Sequence, residues 1–214
     1  MFVKVCGIKS LEELRVVEKY VNATGVVVEC ESKRRVPIEV ARLIVENAEI
    51  PVFVVSTLES FEDWANLIEK IDASHVQIHS NAEPEVVDRV REMGVSVMKA
   101  FRVPRSSSNP ELEAEKLVKK IREYRVDFIL LDTGKGSGKT HDHRISRIIA
   151  KRFDVVLAGG LNPENVARIV EFVKPFGVDV SSGVETGGRK DERKIRDFIE
   201  ALRFERTSPD FCLK

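Results

Sequence analysis

The sequence predicts a single (β/α)8 barrel, and three observations agree on that fold. Eight short β-branched runs alternate with stretches of helical periodicity, a pattern typical of βα units in a parallel sheet. Several of these runs are apolar throughout, as expected for strands that are covered on both faces. The length of 214 residues fits one such barrel, which usually takes about 200–250 residues.

The predicted strands follow one another at a spacing of about 25 residues, which suits a βα repeat with short loops. They are 2–6, 25–29, 51–56, 75–79, 95–101, 127–132, 154–159 and 178–181. Helical periodicity is clearest at 11–20 and 86–93. An open doubly wound sheet usually has fewer strands and a G-x-G-x-x-G turn after the first, whereas this first turn is CGIKS. We therefore expect a closed barrel over 1–203 and a tail over 204–214.

The composition excludes several classes of protein. Thirty-five basic and 35 acidic residues give no net charge, so nothing favours a nucleic-acid or membrane partner. The three cysteines lack C-x-x-C spacing, which argues against a disulfide framework or a zinc site and favours a reducing, cytoplasmic setting. We expect neither a signal peptide nor a membrane span, because the first apolar run contains Lys4 and no uncharged apolar window reaches 18 residues.

Catalytic groups of a barrel gather where its strands end, and two reactive side chains lie at such positions. Cys6 ends the first predicted strand and Asp132 ends the sixth. These strands are not neighbours, so the two groups can face each other across the mouth as base and acid. Each has a plainer interpretation, since a lone Cys is usually a small buried hydrophobe and such an Asp often forms a turn. His79, at the end of strand 4, is a candidate substrate-binding residue, although such a histidine is more often structural.

The loops after strands 7 and 8 predict a phosphate site. Strand 7 ends in Gly159 and Gly160, and strand 8 ends in Ser181, Ser182 and Gly183. Asn162 and Pro163 then predict a helix N-cap and first turn, whose free N–H groups suit a phosphate. Barrels often bind phosphate at these two loops. The alternative is that the glycines only make tight turns.

Two basic segments also fall at the predicted mouth. Residues 134–140 superficially look like a nucleotide-binding loop, but the first glycine of that motif would fall on Thr133, so we predict a lid instead. Arg34, within the run Lys33–Arg34–Arg35, could grip a carboxylate through its bidentate fork, although such runs are usually solvated patches. Nothing completes a metal site around His141 and His143, so no metal is expected.

Seven motifs together resemble the signature segments of phosphoribosylanthranilate isomerases, in the order of that family and over about residues 4–191. They are KVCGI at 4–8, SKR at 32–34, VQIH at 76–79, LLDT at 130–133, GSGKT at 136–140, GGLNPENV at 159–166 and VDVSSGVE at 178–185. The chain departs from the family at Lys135, at His141–Asp142–His143 and at Glu29–Cys30–Glu31, where glycine, F-D-W and apolar residues are more usual.

The resemblance implies a cofactor-free Amadori rearrangement of N-(5-phosphoribosyl)anthranilate in tryptophan biosynthesis. By the same resemblance, Cys6 is the base that removes the C2 proton and Asp132 is the acid that protonates the ring oxygen. Arg34 is expected to hold the anthranilate carboxylate. The phosphate is expected to lie in a cradle formed by Gly160, Ser181, Ser182 and Gly183.

Three rival functions are known on the same fold. A metal-dependent pentose-phosphate epimerase needs His and Asp at several strand ends, and this chain offers little beyond His79. A histidine-pathway isomerase needs aspartates at the ends of strands 1 and 5, which here hold Cys6 and a Lys-Ala-Phe run. A non-catalytic phosphate sensor would keep the glycines but need neither Cys6 nor Asp132.

Overall fold

The computed structural model describes residues 1–133 and 140–204 and confirms the closed barrel. Eight parallel strands pair in sequence order, and the eighth closes the barrel on the first. The strands are β1 Phe2–Cys6, β2 Ala23–Val27, β3 Val52–Ser56, β4 His75–Ile78, β5 Ser96–Arg102, β6 Phe128–Asp132, β7 Val155–Leu157 and β8 Gly177–Val180. The helices that cover them are α1 Leu11–Val17, α2 Ile38–Asn47, α3 Phe61–Ile71, α4 Pro84–Glu92, α5 Pro110–Ile121, α6 His143–Ala150, α7 Val166–Val173 and α8 Glu192–Phe204.

Several predicted boundaries were wrong, each for a local reason. Strand β2 ends at Val27 instead of residue 29, because Glu29 adopts a left-handed φ of 46°. Strand β7 ends at Leu157, because Gly159 and Gly160 turn the chain out of the sheet with φ of 92° and 69°. A short hairpin, β9 Glu185–Thr186 and β10 Arg189–Lys190, was not predicted at all.

The predicted start of α7 was also wrong. The helix begins at Val166 with Asn165 as its N-cap, three residues later than Asn162. Asn162 and Asn165 each accept the other's backbone N–H through the side-chain oxygen, both at 2.9 Å. This exchange holds residues 162–165 as a turn, so the backbone enters the helix only afterwards.

The barrel buries two apolar layers. The outer layer lies between strands and helices and includes Trp64, whose side chain is fully buried. The inner layer is formed by residues that alternate along the strands and face the barrel axis, among them Phe53, Met98, Leu130 and Val156. At the N-terminal end of the strands, aromatic rings close the barrel, with Phe2 stacked 5.5 Å from Phe128.

Some predictions concern residues that the structure does not describe. The predicted lid at 134–140, which includes Lys135, lies outside the described residues except for Thr140. Positions 205–214 of the predicted tail, which include Cys212, also lie outside them. Residue 204 still belongs to α8, so the helix extends one residue past the predicted end of the barrel. Among the described helices, none is long and apolar enough to cross a membrane.

Candidate active site

A cavity of about 940 Å³ opens at the C-terminal ends of the barrel strands. Its walls contain seven of the eight predicted site residues, namely Cys6, Arg34, His79, Asp132, Gly160, Ser181 and Ser182. The eighth, Gly183, does not line it. A side chain at Gly183 would overlap the carbonyl oxygen of Leu161, so this glycine permits close packing of two loops.

Cys6 is the last residue of β1, and its thiol faces the barrel interior. It is 9 % exposed and packs among Val27, Phe53 and other inward-facing side chains. Burial raises the pKa of this thiol, because a thiolate loses hydration there, and nearby Lys4 only partly offsets the effect. The thiol is therefore less ionised at neutral pH than an ordinary cysteine, but its thiolate is a stronger base once formed.

Asp132 ends β6 on another part of the same wall. His79 Nε2 lies 3.6 Å from Asp132 Oδ2, and both side chains are mostly buried. Burial lowers the pKa of His79, and the negative charges of Asp132 and Asp179 oppose this shift without reversing it. His79 is thus a neutral polar neighbour of Asp132 near pH 7. Gly159 leaves space here, since a side chain in its place would overlap Thr133 and approach Asp132 Oδ1 to 3.0 Å.

Arg34 reaches the cavity from the loop after β2. Its side chain crosses directly over Gly7, where φ is 81° and any Cβ would overlap Arg34 Cδ. The guanidinium donates from Nε and Nη2 to the two oxygens of Glu185, at 2.7 and 2.8 Å. Burial alone would raise the pKa of Glu185, but the Arg34 hydrogen bonds and the Lys190 charge lower it to about 2.

Lys190 joins this pair to the predicted phosphate loops. Its Nζ lies 2.7 Å from Glu185 Oε1 and 3.3 Å from the carbonyl oxygen of Ser181, and its side chain is only 1 % exposed. Ser181 Oγ in turn donates to the carbonyl oxygen of Cys6 at 2.8 Å. Sequence reasoning assigned no role to Glu185 or Lys190. Both lie in the unpredicted hairpin. Glu185 is the last residue of the VDVSSGVE motif, and Lys190 lies outside all seven motifs.

Sequence reasoning also missed an ion pair inside the barrel. Lys4 Nζ donates to Asp179 Oδ2 at 3.0 Å, and both side chains are buried. The signal that could have found it was Lys4 itself, a charge within an otherwise apolar strand. Such a residue is rarely buried without a partner.

Two other histidines, His141 and His143, follow strand β6 and do not line the cavity. His141 Nε2 is 2.6 Å from Ser146 Oγ, and its ring packs edge-on against that of His143 at 4.9 Å. Burial lowers the pKa of His141 to about 3, so it is neutral over the physiological range. Across the described residues, no group of three or more His, Cys, Asp or Glu side chains is arranged to hold a metal ion.

Comparison with known proteins identifies the family. Residues 3–201 match the family model for N-(5'phosphoribosyl)anthranilate (PRA) isomerase. The chain belongs to this family. An N-(5'-phosphoribosyl)anthranilate isomerase of Pyrococcus abyssi is 59 % identical over 200 residues, which cover 93 % of this chain and 96 % of that relative. The solved isomerase of Pyrococcus furiosus superposes on this chain with a TM-score of 0.90 at 52 % identity. The match covers 95 % of this chain and 99 % of the chain in that structure.

A more distant structure was determined with a ligand. It is a phosphoribosyl anthranilate isomerase in complex with reduced 1-(o-carboxyphenylamino)-1-deoxyribulose 5-phosphate, with 34 % identity, a TM-score of 0.77 and coverage of 95 % of this chain and 99 % of that one. Members of the family convert N-(5-phosphoribosyl)anthranilate to 1-(2-carboxyphenylamino)-1-deoxyribulose 5-phosphate by an Amadori rearrangement in tryptophan biosynthesis. This isomerisation is the activity of the chain.

Proposed function

We propose that this chain isomerises N-(5-phosphoribosyl)anthranilate with Cys6 as general base and Asp132 as general acid. The observation that carries the proposal is that both side chains line one cavity from strands that are not neighbours. A sugar held between them has one group on each side. The substrate can then lose one proton and receive another without changing its position in the cavity.

The two ends of the cavity would hold the two anionic ends of the substrate. Arg34 would bind the anthranilate carboxylate, because a guanidinium matches a carboxylate geometrically and is always charged. Gly160, Ser181 and Ser182 would bind the phosphate at the loops that barrels commonly use for this purpose. Lys190 adds a positive charge next to Ser181, which supports the same orientation. Gly183 would contribute only by letting its loop pack against Leu161.

The chemistry begins with the furanose ring. Asp132 donates its proton to the ring oxygen while the bond from that oxygen to C1 breaks, and the anthranilate nitrogen forms a double bond to C1. The resulting protonated Schiff base acidifies the C2 proton. Cys6, as thiolate, takes that proton, and the electron pair forms the enolamine, which tautomerises to the ketone. The tautomerisation moves a proton from the C2 hydroxyl group to C1. Asp132 ends as carboxylate and Cys6 as thiol, so one proton passes from Cys6 to Asp132 through solvent before the next turnover.

Cys6→Ser tests the base assignment. A hydroxyl is a far weaker base than a thiolate at neutral pH, so kcat should fall by about 10²–10⁴, the usual contribution of a general base. Affinity for the reduced product analogue should stay near that of the wild type, because the proposed partners of its charged ends are Arg34 and the phosphate loops. Turnover is followed by the loss of anthranilate fluorescence. Near-normal kcat in the serine variant would remove Cys6 from the mechanism.

The proposal extends to the compartment in which the enzyme works. Both cysteines in the described part of the chain, Cys6 and Cys30, are free thiols. A base that must remain a free thiol is best preserved in a reducing compartment, which supports a cytoplasmic enzyme.

A further inference from the structure

We propose that Lys4, which is held in place by the cavity-lining residue Asp179, is a positioning residue whose ammonium group stabilises the thiolate of Cys6. The inference rests on the proposed role of Cys6 as base. It adds a residue that does not line the cavity and so acts on the reaction only through another side chain.

The strand register places Lys4 under Cys6. The two residues are two positions apart on β1, so both side chains face the barrel interior. Lys4 is directly opposite Asp179 in the pairing of β1 with β8, and Nζ lies 3.0 Å from Asp179 Oδ2. The surroundings are apolar, with the ring of Phe53 centred 5.7 Å from Nζ.

Gly25 brings the ammonium group and the thiol to the same point. This glycine pairs with Cys6 across β1 and β2. A Cβ built on it would lie 3.1 Å from Cys6 Sγ and 3.3 Å from Lys4 Nζ. Both atoms therefore border the small space that the absent side chain leaves, where little water can screen their interaction.

Stability alone gives little reason for this pair. Burial of two charges costs hydration free energy that their attraction barely offsets, and well-packed apolar pairs often replace them without loss. A buried ammonium next to a proposed thiolate base has a clearer physical effect. Burial alone would lower the pKa of Lys4, but the charge of Asp179 raises it above its usual value, so Lys4 stays protonated at working pH.

Several groups act on the thiol from the surrounding elements. Burial raises the pKa of Cys6; Lys4 opposes this most strongly among the charged groups, Lys190 opposes it as well, and Asp179 adds to it. Arg34 and Cys30 also lie within electrostatic range of Cys6. Removal of the Lys4 charge should thus make the thiol harder to ionise, and removal of the Asp179 charge should make it easier.

The test compares two variants that leave no buried carboxylate without a partner. They are Asp179→Asn and the double variant Lys4→Met/Asp179→Asn, both in a Cys30→Ser/Cys212→Ser background so that Cys6 is the only thiol. The rate of alkylation by iodoacetamide as a function of pH reports the ionisation of Cys6 directly. We expect Asp179→Asn to move the midpoint to lower pH. The double variant should move it at least one pH unit higher than Asp179→Asn alone, a tenfold change in ionised fraction.

Lys4→Arg is the conservative control and should keep the midpoint nearer to that of the parent than the double variant does. Equal midpoints in Asp179→Asn and the double variant would overturn the proposal, as would a shift of the opposite sign. The pH profile of kcat separates this proposal from the proposed function. If the alkylation midpoint shifts but neither limb of the kcat profile moves with it, Lys4 still stabilises the thiolate and Cys6 is not the base.

Discussion

The two ends of the barrel interior are built from the same strands but differ in their chemistry. At the N-terminal end, the ring of Phe128 lies 5.5 Å from Phe2 and 5.7 Å from Phe53, and the rings fill the space. At the C-terminal end, β1 and β6, the strands that carry Phe2 and Phe128, finish in Cys6 and Asp132 around an open cavity. Strand β1 thus contributes a packing ring at its start and a cavity-lining thiol at its end, and β6 contributes a packing ring and a cavity-lining carboxyl group in the same way.

This division shows how a barrel keeps stability and catalysis apart. Inward-facing residues alternate along each strand, so a five-residue strand such as β6 presents residues 128, 130 and 132 to the interior. The first two pack in the apolar interior, and the last lines the cavity. Changes at the two ends of one strand should therefore affect different measured quantities.

Asp132→Asn should produce the largest effect at the catalytic end. The amide keeps the shape of the side chain but has no transferable proton, so kcat should fall by about 10²–10⁴. The phosphate loops are untouched, so the reduced product analogue should bind as tightly as it does to the wild type in calorimetry. Loss of that binding together with activity would instead make Asp132 a structural turn residue.

Phe128→Ala is the matched change at the other end of the same strand. It removes a ring that packs against Phe2 and Phe53, and the free energy of unfolding should fall by about 3 kcal/mol, the lower end of the range for Phe→Ala because Phe128 is not fully buried. Urea unfolding measures this loss. Since kcat and KM should hardly change below the unfolding transition, a large fall in kcat would show that the two ends are coupled.

Arg34→Ala should have the next effect, at the carboxylate end of the site. We expect ligands with an anthranilate carboxylate to bind about 1.5–3 kcal/mol more weakly, the scale of one charge-assisted hydrogen bond. An analogue without the carboxylate is the control and should be insensitive to the change. Equal losses for both ligands would show that Arg34 acts only through its contact with Glu185.

The fold was predictable from the sequence because every βα unit carries its own local signal. The positions of Cys6, Asp132 and Arg34 at one mouth followed from the rule that parallel strands end on the same rim. Ion pairs between residues far apart in the sequence could not be predicted from such local signals. Lys4 and Asp179 are 175 residues apart and meet only when β8 closes on β1.

The sequence also could not predict how its site residues would be held. Arg34 and Glu185 are separated by 151 residues, and their contact depends on a hairpin whose two-residue strands are too short for a periodic signal. Gly183 was predicted to belong to the phosphate cradle, but the structure shows that it packs against Leu161 and does not line the cavity. Ionisation of Cys6 likewise depends on burial and on Lys4, which local pattern does not reveal.

The smallest expected effect concerns Glu185, which belongs to the catalytic end but has a stabilising role that pH can isolate. Its pKa is about 2, well below the ordinary value of about 4.3, because Arg34 and Lys190 favour its charged form despite burial. A carboxylate with a depressed pKa stabilises the fold fully above its ordinary pKa, and that stability is lost as pH falls towards the folded value. Glu185→Gln should lower the free energy of unfolding by about 1 kcal/mol at pH 7, since the amide keeps one hydrogen-bond acceptor for Arg34.

The difference in unfolding free energy between the Glu185→Gln variant and the wild type should persist down to about pH 4.5 and shrink between pH 4.5 and pH 2. Urea unfolding at pH 7, 5 and 3 measures it, with the exposed Glu12→Gln as control. A difference that is constant over this range would mean that Glu185 contributes through its shape and not through its charge.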